Sequence, residues 1–298
     1  MAATEEGTAE ITAPGLAARS DDSGSLLTIL LNNRGVFWGG LLLSFMVLVA
    51  VLGPLFTADP VALNPINRLK APSGADWFGS DFLGRDVFAR VVHGARISLV
   101  IGLTVAVIAV AVGLFLGMIA GYVRALDAVI MRVMDGLMAI PAILLAIALV
   151  SLSGATLGTV VVAIVIPEIP RVVRLVRSVV LTVREEPYVE AAIAAGTRLP
   201  LILRRHILPN TVAPLIVQAT YICGSAMLTE AILGFLGAGI PPEIPSWGNI
   251  MAEGRTYFQI SPWIIFYPGV ALAVTVLAVN VVGDGLRDTL DPRIARKM

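Results

Sequence analysis

Long apolar runs dominate this sequence. Val36 to Phe56 and Ile97 to Tyr122 contain no charged residue. At about 1.5 Å of rise per residue, roughly 20 helical residues cross the 30 Å hydrocarbon layer of a bilayer. The composition agrees, because 57% of the 298 residues are hydrophobic, 14% are charged and the mean hydropathy is +0.88. The sequence therefore predicts an all-α integral membrane protein.

Four further runs bring the predicted number of transmembrane helices to six. They are Val129 to Leu152, which contains Pro141, then a run that starts at Thr156, Val212 to Leu236, and Trp263 to Gly283. Small residues along the second run predict close approach of another helix; they are Gly102, Gly113, Gly117 and Gly121. In the third run, Arg132 and Asp135 are three residues apart and can pair on one helical face. A structural pair is favoured over a proton relay.

The fourth run is unusual because its apolar part ends at Ile166, after only about 16 Å of helix. Arg171, Arg174 and Arg177 then recur at every third position. Each arginine at the bilayer centre costs about 2.5–3.5 kcal/mol on insertion scales, and an aliphatic residue recovers only about 0.3–0.6. We therefore expect these arginines at the cytoplasmic end of the helix or inside protein. The same spacing is typical of a voltage-sensor helix, which keeps a channel as an alternative.

The positions of lysine and arginine predict the orientation. With the N-terminus inside, fifteen of the 21 basic residues fall on the cytoplasmic side. Between the first two runs, apolar residues at helical spacing predict an amphipathic elbow at the outer interface. Its apolar positions are Phe88, Val91, Val92 and Ala95, and Arg85, Arg90 and Arg96 fall elsewhere.

A basic amphipathic stretch, Glu190 to Asn210, separates the fourth and fifth runs. Tyr188 to Ala195 predicts a short helix, and Gly196 supplies the left-handed residue that commonly ends one. Thr197 is a candidate N-cap for a second helix, and Pro209 with its neighbour Asn210 is expected to stop it. The pattern predicts a helix–turn–helix elbow on the cytoplasmic surface. From these residues alone, a solvated basic loop remains the alternative.

The spacing of this stretch resembles the EAA loop of importer-type ABC transporter permeases. The matching residues are Glu190, Ala191, Ala192, Gly196, Leu208 and Pro209. His206 stands where the general pattern has isoleucine, and the string RHILPN is similar to the dipeptide and oligopeptide branch. The strings SDFLGRD and PSWG, at residues 80–86 and 245–248, are similar to the same branch.

The resemblance implies a type I ABC importer permease fold with six transmembrane helices in a bacterial inner membrane. It implies the transmembrane subunit of an ATP-driven, binding-protein-dependent importer for di- or oligopeptides, although relatives carry nickel, glutathione or opines. The expected partners are a related permease subunit, two ATP-binding subunits that hold ATP and Mg, and an extracytoplasmic substrate-binding protein. The resemblance assigns the contact with the ATP-binding subunits to seven residues: Glu190, Ala191, Ala192, Gly196, His206, Leu208 and Pro209.

The expected organisation follows from this resemblance and from the runs. Residues 1–35 are predicted to be a disordered cytoplasmic tail, 36–57 the first transmembrane helix, and 58–96 an extracytoplasmic loop with the elbow. Residues 97–285 would form the permease core, with the coupling loop at 186–210, and 286–298 a cytoplasmic C-terminal tail.

Several chemistries have no residues to support them. The two lysines, Lys70 and Lys297, do not follow a glycine, and a P-loop requires a Gly-Lys pair. A single cysteine, Cys223, and two distant histidines, His93 and His206, favour neither a disulfide nor a metal site. We expect no enzyme activity, no cofactor bound by this chain and no nucleic-acid partner.

Glu230 is the candidate for a pathway or gate residue. It lies in the fifth apolar run, and acidic residues within membranes are usually functional. A packing or interface role is the alternative. A channel and a secondary transporter stay as rival classes, although no selectivity-filter string and no inverted repeat is evident.

Overall fold

The computed structural model describes residues 34–74 and 76–290. Residues 1–33 and 291–298 of the two predicted tails lie outside the described residues, whereas residues 34–35 and 286–290 are helical. The α-helices of the described part are α1 (Arg34–Leu52), α2 (Val87–Tyr122), α3 (Arg124–Met138), α4 (Ala142–Ser153), α5 (Leu157–Val183), α6 (Pro187–Ala194), α7 (Leu199–Ile202), α8 (Leu208–Phe235), α9 (Trp247–Gly254) and α10 (Trp263–Leu290). Short 3₁₀ turns follow α1 and α9, and a third lies at Pro65–Asn67.

The predicted all-α fold is confirmed, and the helices account for the six predicted spans. Four helical stretches are long and apolar enough to cross a bilayer: Arg34–Leu55, Val87–Tyr122, Leu199–Phe235 and Trp263–Thr289. The pair α3 and α4 would be a fifth span if the two count as one. The sixth is α5, which has 27 residues and is about 40 Å long, but its charged residues lower its hydropathy.

The third predicted span is broken rather than continuous. Helices α3 and α4 meet at an angle of 88°. Pro141 is the residue that precedes α4, with extended ψ of 127°. Proline has no N–H to continue the preceding helix, and it disfavours helical backbone at the residue before it. The predicted third span, Val129 to Leu152, is therefore bent sharply at this proline.

The predicted interfacial elbow is not a separate helix. Helix α2 runs without interruption from Val87 through the whole second span, and the Asp86 carboxylate caps it by accepting from the Phe88 N–H at 2.9 Å. The Arg90 side chain is buried inside protein, as is Arg85. The apolar residues of this segment are at helical spacing, but Arg90 on its polar side is also buried, in an ion pair with Glu253 of α9.

The fourth predicted span is α5, one continuous helix that contains Pro167 and Pro170 in its interior. It begins with a capping box, in which the Thr156 hydroxyl accepts from the Thr159 N–H and the Thr159 hydroxyl accepts from the Thr156 N–H. Packing against α2 and α8 holds the helix together through the two prolines.

Helices α2 and α5 pack closely against each other over three turns. A row of valines on α5 lies directly over a row of glycines on α2: Val172 over Gly113, Val176 over Gly117 and Val180 over Gly121. A Cβ atom added to these glycines would lie 2.4–2.6 Å from a valine Cβ. The prediction that the glycines of the second span allow close helix approach is confirmed, and Gly102 packs in the same way on Cys223 and Met227 of α8.

Gly117→Ala should destabilise the protein. The added methyl would overlap Val176, and overpacking of this kind costs about 1–3 kcal/mol. Gly136→Ala is the matched control, since an added Cβ there meets nothing within 4 Å. Thermal unfolding of the purified chain in detergent should show a lower midpoint for Gly117→Ala alone. Equal midpoints for the two variants would contradict the packing described here.

Candidate functional site

The stretch between α5 and α8, residues 184–207, forms the predicted elbow. Helix α6 begins with Pro187 at its first position and ends in a Schellman motif. The Gly196 N–H donates to the Ile193 carbonyl at 2.9 Å, and the Thr197 N–H donates to the Ala192 carbonyl at 3.1 Å. Gly196 has a φ of +76°, so the left-handed position predicted there is present.

The second arm of the elbow differs from the prediction. Arg198, not Thr197, precedes α7, and it makes no side-chain cap. Pro209 does not stop the helix, because α7 continues through a π-helical turn, Leu203–Ile207, directly into α8. A proline has no N–H to donate and its ring crowds the preceding turn. The wider π turn, closed by the Leu208 N–H on the Leu203 carbonyl, gives that ring room.

Three aliphatic residues anchor the elbow to the transmembrane core. Val189, Ile202 and Ile207 are buried and belong to the same hydrophobic cluster as the α2 and α5 valines. The opposite side of the elbow is open. We use the name elbow face for six exposed residues there, Tyr188, Glu190, Ala191, Ile193, Leu199 and Leu201. The elbow also exposes three basic residues, Arg198, Arg204 and Arg205. Ile193 and Leu201 are each 48% exposed, so the elbow face presents a sizeable apolar area beside one carboxylate.

The remaining predicted site residues lie at the joint between the two arms. The half-buried His206 ring lies 6.0 Å from the Tyr188 ring, centroid to centroid. The Asn210 amide donates to the His206 carbonyl at 2.6 Å and to the Tyr188 hydroxyl at 3.4 Å. Ala192 and Leu208 are partly buried, and Pro209 is exposed. The structure thus brings the seven predicted residues into one small unit, with four of them at the surface.

The three arginines of α5 are paired with carboxylates. Arg177 makes two bonds to Asp127 at 2.5 and 2.6 Å, and Arg174 bonds to Asp135 at 2.7 Å. Both carboxylates lie on α3, so these pairs tie α5 to α3. The predicted pair of Arg132 with Asp135 is wrong, because Asp135 accepts from Arg174 across the helix interface instead.

A buried glutamate that the sequence reasoning missed completes this row. Glu168 lies between the two prolines of α5 and accepts from the Ser225 hydroxyl of α8 at 3.2 Å. Arg171 lies one turn further on and donates to the same carboxylate at 3.2 and 3.3 Å. Glu168 therefore joins α5 to α8, the two spans that the elbow connects.

A second missed cluster lies at the opposite end of the bundle. Arg85 and Arg90 both bond to Asp81, at 2.6 and 2.8 Å, and both bond to Glu253 of α9. Trp247, at the start of α9, donates from its ring N–H to the Val91 carbonyl at 3.0 Å. These contacts fasten the segment before α2 to α9.

Glu230, the candidate gate residue, is fully buried in α8. Its neighbouring polar side chains are Ser98 of α2 and Ser246, which caps α9. Within the described residues, both carboxyl oxygens of Glu230 lack a hydrogen-bond partner, and so does the Ser98 hydroxyl oxygen. The carboxyl group is therefore enclosed by this chain, between α2, α8 and the start of α9.

The arrangement of helices has a counterpart among solved structures. The chain aligns with the inward-facing MetNI methionine ABC transporter at a TM-score of 0.50 and 22% identity, over 69% of this chain and 94% of that one. The protein is thus a multi-pass membrane protein with the fold of an ABC importer permease.

The sequence comparisons identify the family. Residues 113–296 match the family described as binding-protein-dependent transport system inner membrane component. The chain is 58% identical, over 88% of its length and 90% of the relative, to a probable peptide ABC transporter permease of Sinorhizobium fredii. It is 44% identical to a dipeptide transport system permease of Alkalihalophilus pseudofirmus, over 89% of this chain and 88% of the relative. The chain belongs to this family of transport permeases.

The ion pair between α3 and α5 should be measurable by charge exchange. Arg177→Asp places two carboxylates side by side and should lower the thermal unfolding midpoint, while Arg177→Asp combined with Asp127→Arg should recover part of the loss. The pair is partly exposed, so the coupling should be about 0.5–1 kcal/mol.

Arg132→Ala removes an exposed arginine from α3 and serves as the control. It should leave the midpoint near that of the unmodified protein. A loss as large as that of Arg177→Asp would show that the effect is not specific to the Arg177–Asp127 pair and would contradict its assignment.

Proposed function

We propose that this chain is the permease subunit of an ATP-driven importer that takes up di- or oligopeptides. Family membership supports the importer role, and the names of relatives that match nearly the whole chain support the substrate class. The chain would form one half of the translocation pathway, and a related permease subunit would form the other.

The elbow face is the proposed docking surface for an ATP-binding subunit. The observation that carries this proposal is the exposed apolar surface around Glu190 and Ala191, fixed in place by the buried Val189, Ile202 and Ile207. Alanine side chains allow a partner to approach the backbone closely, and Glu190 adds an acceptor for a polar contact. This arrangement argues against the alternative of a solvated basic loop. The elbow is anchored to the core, and its exposed side includes Ile193, Leu199 and Leu201.

The connections of the elbow suit a coupling role. One arm follows α5 after a short turn, and the other continues into α8 without a break. A hydrogen bond between Glu168 and Ser225 also joins α5 and α8, within the spans and outside the elbow. A displacement of the elbow face would therefore move both spans together and shift the equilibrium between outward- and inward-open states.

ATP chemistry belongs to partner subunits in this proposal. The chain has no Gly-Lys pair for a phosphate cradle. Two ATP-binding subunits would hold ATP and Mg on the cytoplasmic side, where both termini of this chain would also lie. A soluble binding protein would deliver substrate at the opposite face. Glu230 is proposed as a gate residue, since outward displacement of α9 would uncover its carboxyl group.

Gly196→Val should uncouple the importer without unfolding it. No atom lies within 4 Å of a Cβ added at Gly196, so the change acts on the backbone alone. A β-branched residue at a φ of +76° is strained by about 1–3 kcal/mol, which should tilt α6 against α7. The measurements are membrane level, co-purification of the ATP-binding subunits, and ATP-dependent uptake of a labelled dipeptide.

Two variants serve as controls. Gly196→Asn should retain most association and uptake, because asparagine tolerates the left-handed conformation. Arg198→Ala, which removes an exposed charge, should also have little effect. Normal association and uptake in Gly196→Val at a normal membrane level would refute the coupling role of the elbow.

A further inference from the structure

A large apolar groove runs along the outside of the bundle, away from the elbow. It has a volume of about 700 Å³, and α1 and α2 form its walls while α8 and α10 contribute to its floor. Its wall residues are open to the surroundings: Val51 and Leu103 are each 62% exposed, and Val107 is 59% exposed. The Thr220 hydroxyl, which lines the floor, donates to the Val217 carbonyl of its own helix. The free thiol of Cys223, a weak hydrogen-bonding group, also lines the floor.

One end of this groove carries a charge. Arg96 is the charged residue that lines the groove, and its side chain is exposed. It lies immediately before the uncharged stretch of α2 that starts at Ile97, so it falls at the boundary between hydrocarbon and headgroups. From Arg96 to Ala111, the groove follows α2 for about 22 Å, longer than the roughly 15 Å depth of one leaflet.

Arg96 differs from the other basic residues of the same half of the molecule. In residues 34–74 and 76–290, those residues each have a protein partner: Arg68 on the Phe82 carbonyl, Lys70 on Asn67, Arg85 and Arg90 in the cluster with Asp81 and Glu253, and Arg255 on the Phe235 carbonyl and ring. Over the same residues, Arg96 takes part in none of the ion pairs. A guanidinium at the headgroup level, left free above an apolar groove, has the geometry to bind a phosphate.

We infer that this groove is a binding site for a membrane phospholipid of the outer leaflet. An acyl chain would lie between α1 and α2 against the α8–α10 floor, and the lipid phosphate would accept hydrogen bonds from Arg96. The apolar lining selects hydrocarbon, and the single cation at one end fixes the direction in which the lipid enters. Its charge favours an anionic headgroup such as phosphatidylglycerol. The lipid would fill the space between α1 and α2 and so support α1, the span that precedes the permease core.

The test measures lipid retained by the intact transporter, purified in mild detergent after incubation with phosphatidylglycerol. Native mass spectrometry should find phosphatidylglycerol bound to the unmodified protein after delipidating washes. Arg96→Gln should weaken retention about fivefold, the effect of one basic residue at an anionic lipid surface. Arg255→Gln, which removes an arginine outside the groove, should not. Val107→Trp should block the groove and lower retention, while Val162→Trp, at an exposed position of α5, should not.

A photoreactive residue at position 107 identifies the occupant directly. Cross-linking to phospholipid would support the assignment. Cross-linking to the partner permease instead would overturn it and make the groove a subunit interface. Equal retention in Arg96→Gln and unmodified protein, or no retained lipid in either, would also overturn it.

Discussion

The close contact between α2 and α5 is the constraint on which the rest of the structure depends. Three valines, Val172, Val176 and Val180, lie over three glycines, and the absence of side chains on α2 brings the two backbones together. In a bilayer, such van der Waals packing replaces the hydrophobic effect as the force that joins helices. It fixes the position of α5, and α5 in turn leads into the elbow.

The same helix carries charges that a lipid-facing span could not hold. Arg174 and Arg177 face carboxylates on α3, and Arg171 faces Glu168 within α5. Pairing explains why arginines occur every third residue without a voltage-sensing role. A voltage sensor must move its charges across the field, whereas bidentate bonds from Arg177 to Asp127 hold α5 against its neighbour. These pairs therefore favour a packed coupling helix over the channel alternative.

Much of the fold could be predicted from the sequence, because apolar length and glycine chemistry act locally. The spans, the Gly196 turn and the close approach at Gly117 all follow from single-residue properties. Two failures depend on which helices are neighbours: Asp135 accepts from Arg174 rather than Arg132, and Arg85 meets Glu253 from 168 positions away. The third is local, since Pro209 continues a helix because a π turn precedes it.

The central claim is that the elbow face contacts an ATP-binding subunit, and a photoreactive residue at position 191 tests it most directly. Ala191 is exposed on α6, so the substitution leaves the buried anchors of the elbow intact. In membranes that contain the whole importer, light should join the chain at this position to an ATP-binding subunit. The same probe at Leu126, an exposed position on α3, should give little of that product. The absence of the ATP-binding subunit from the position-191 product would contradict the account.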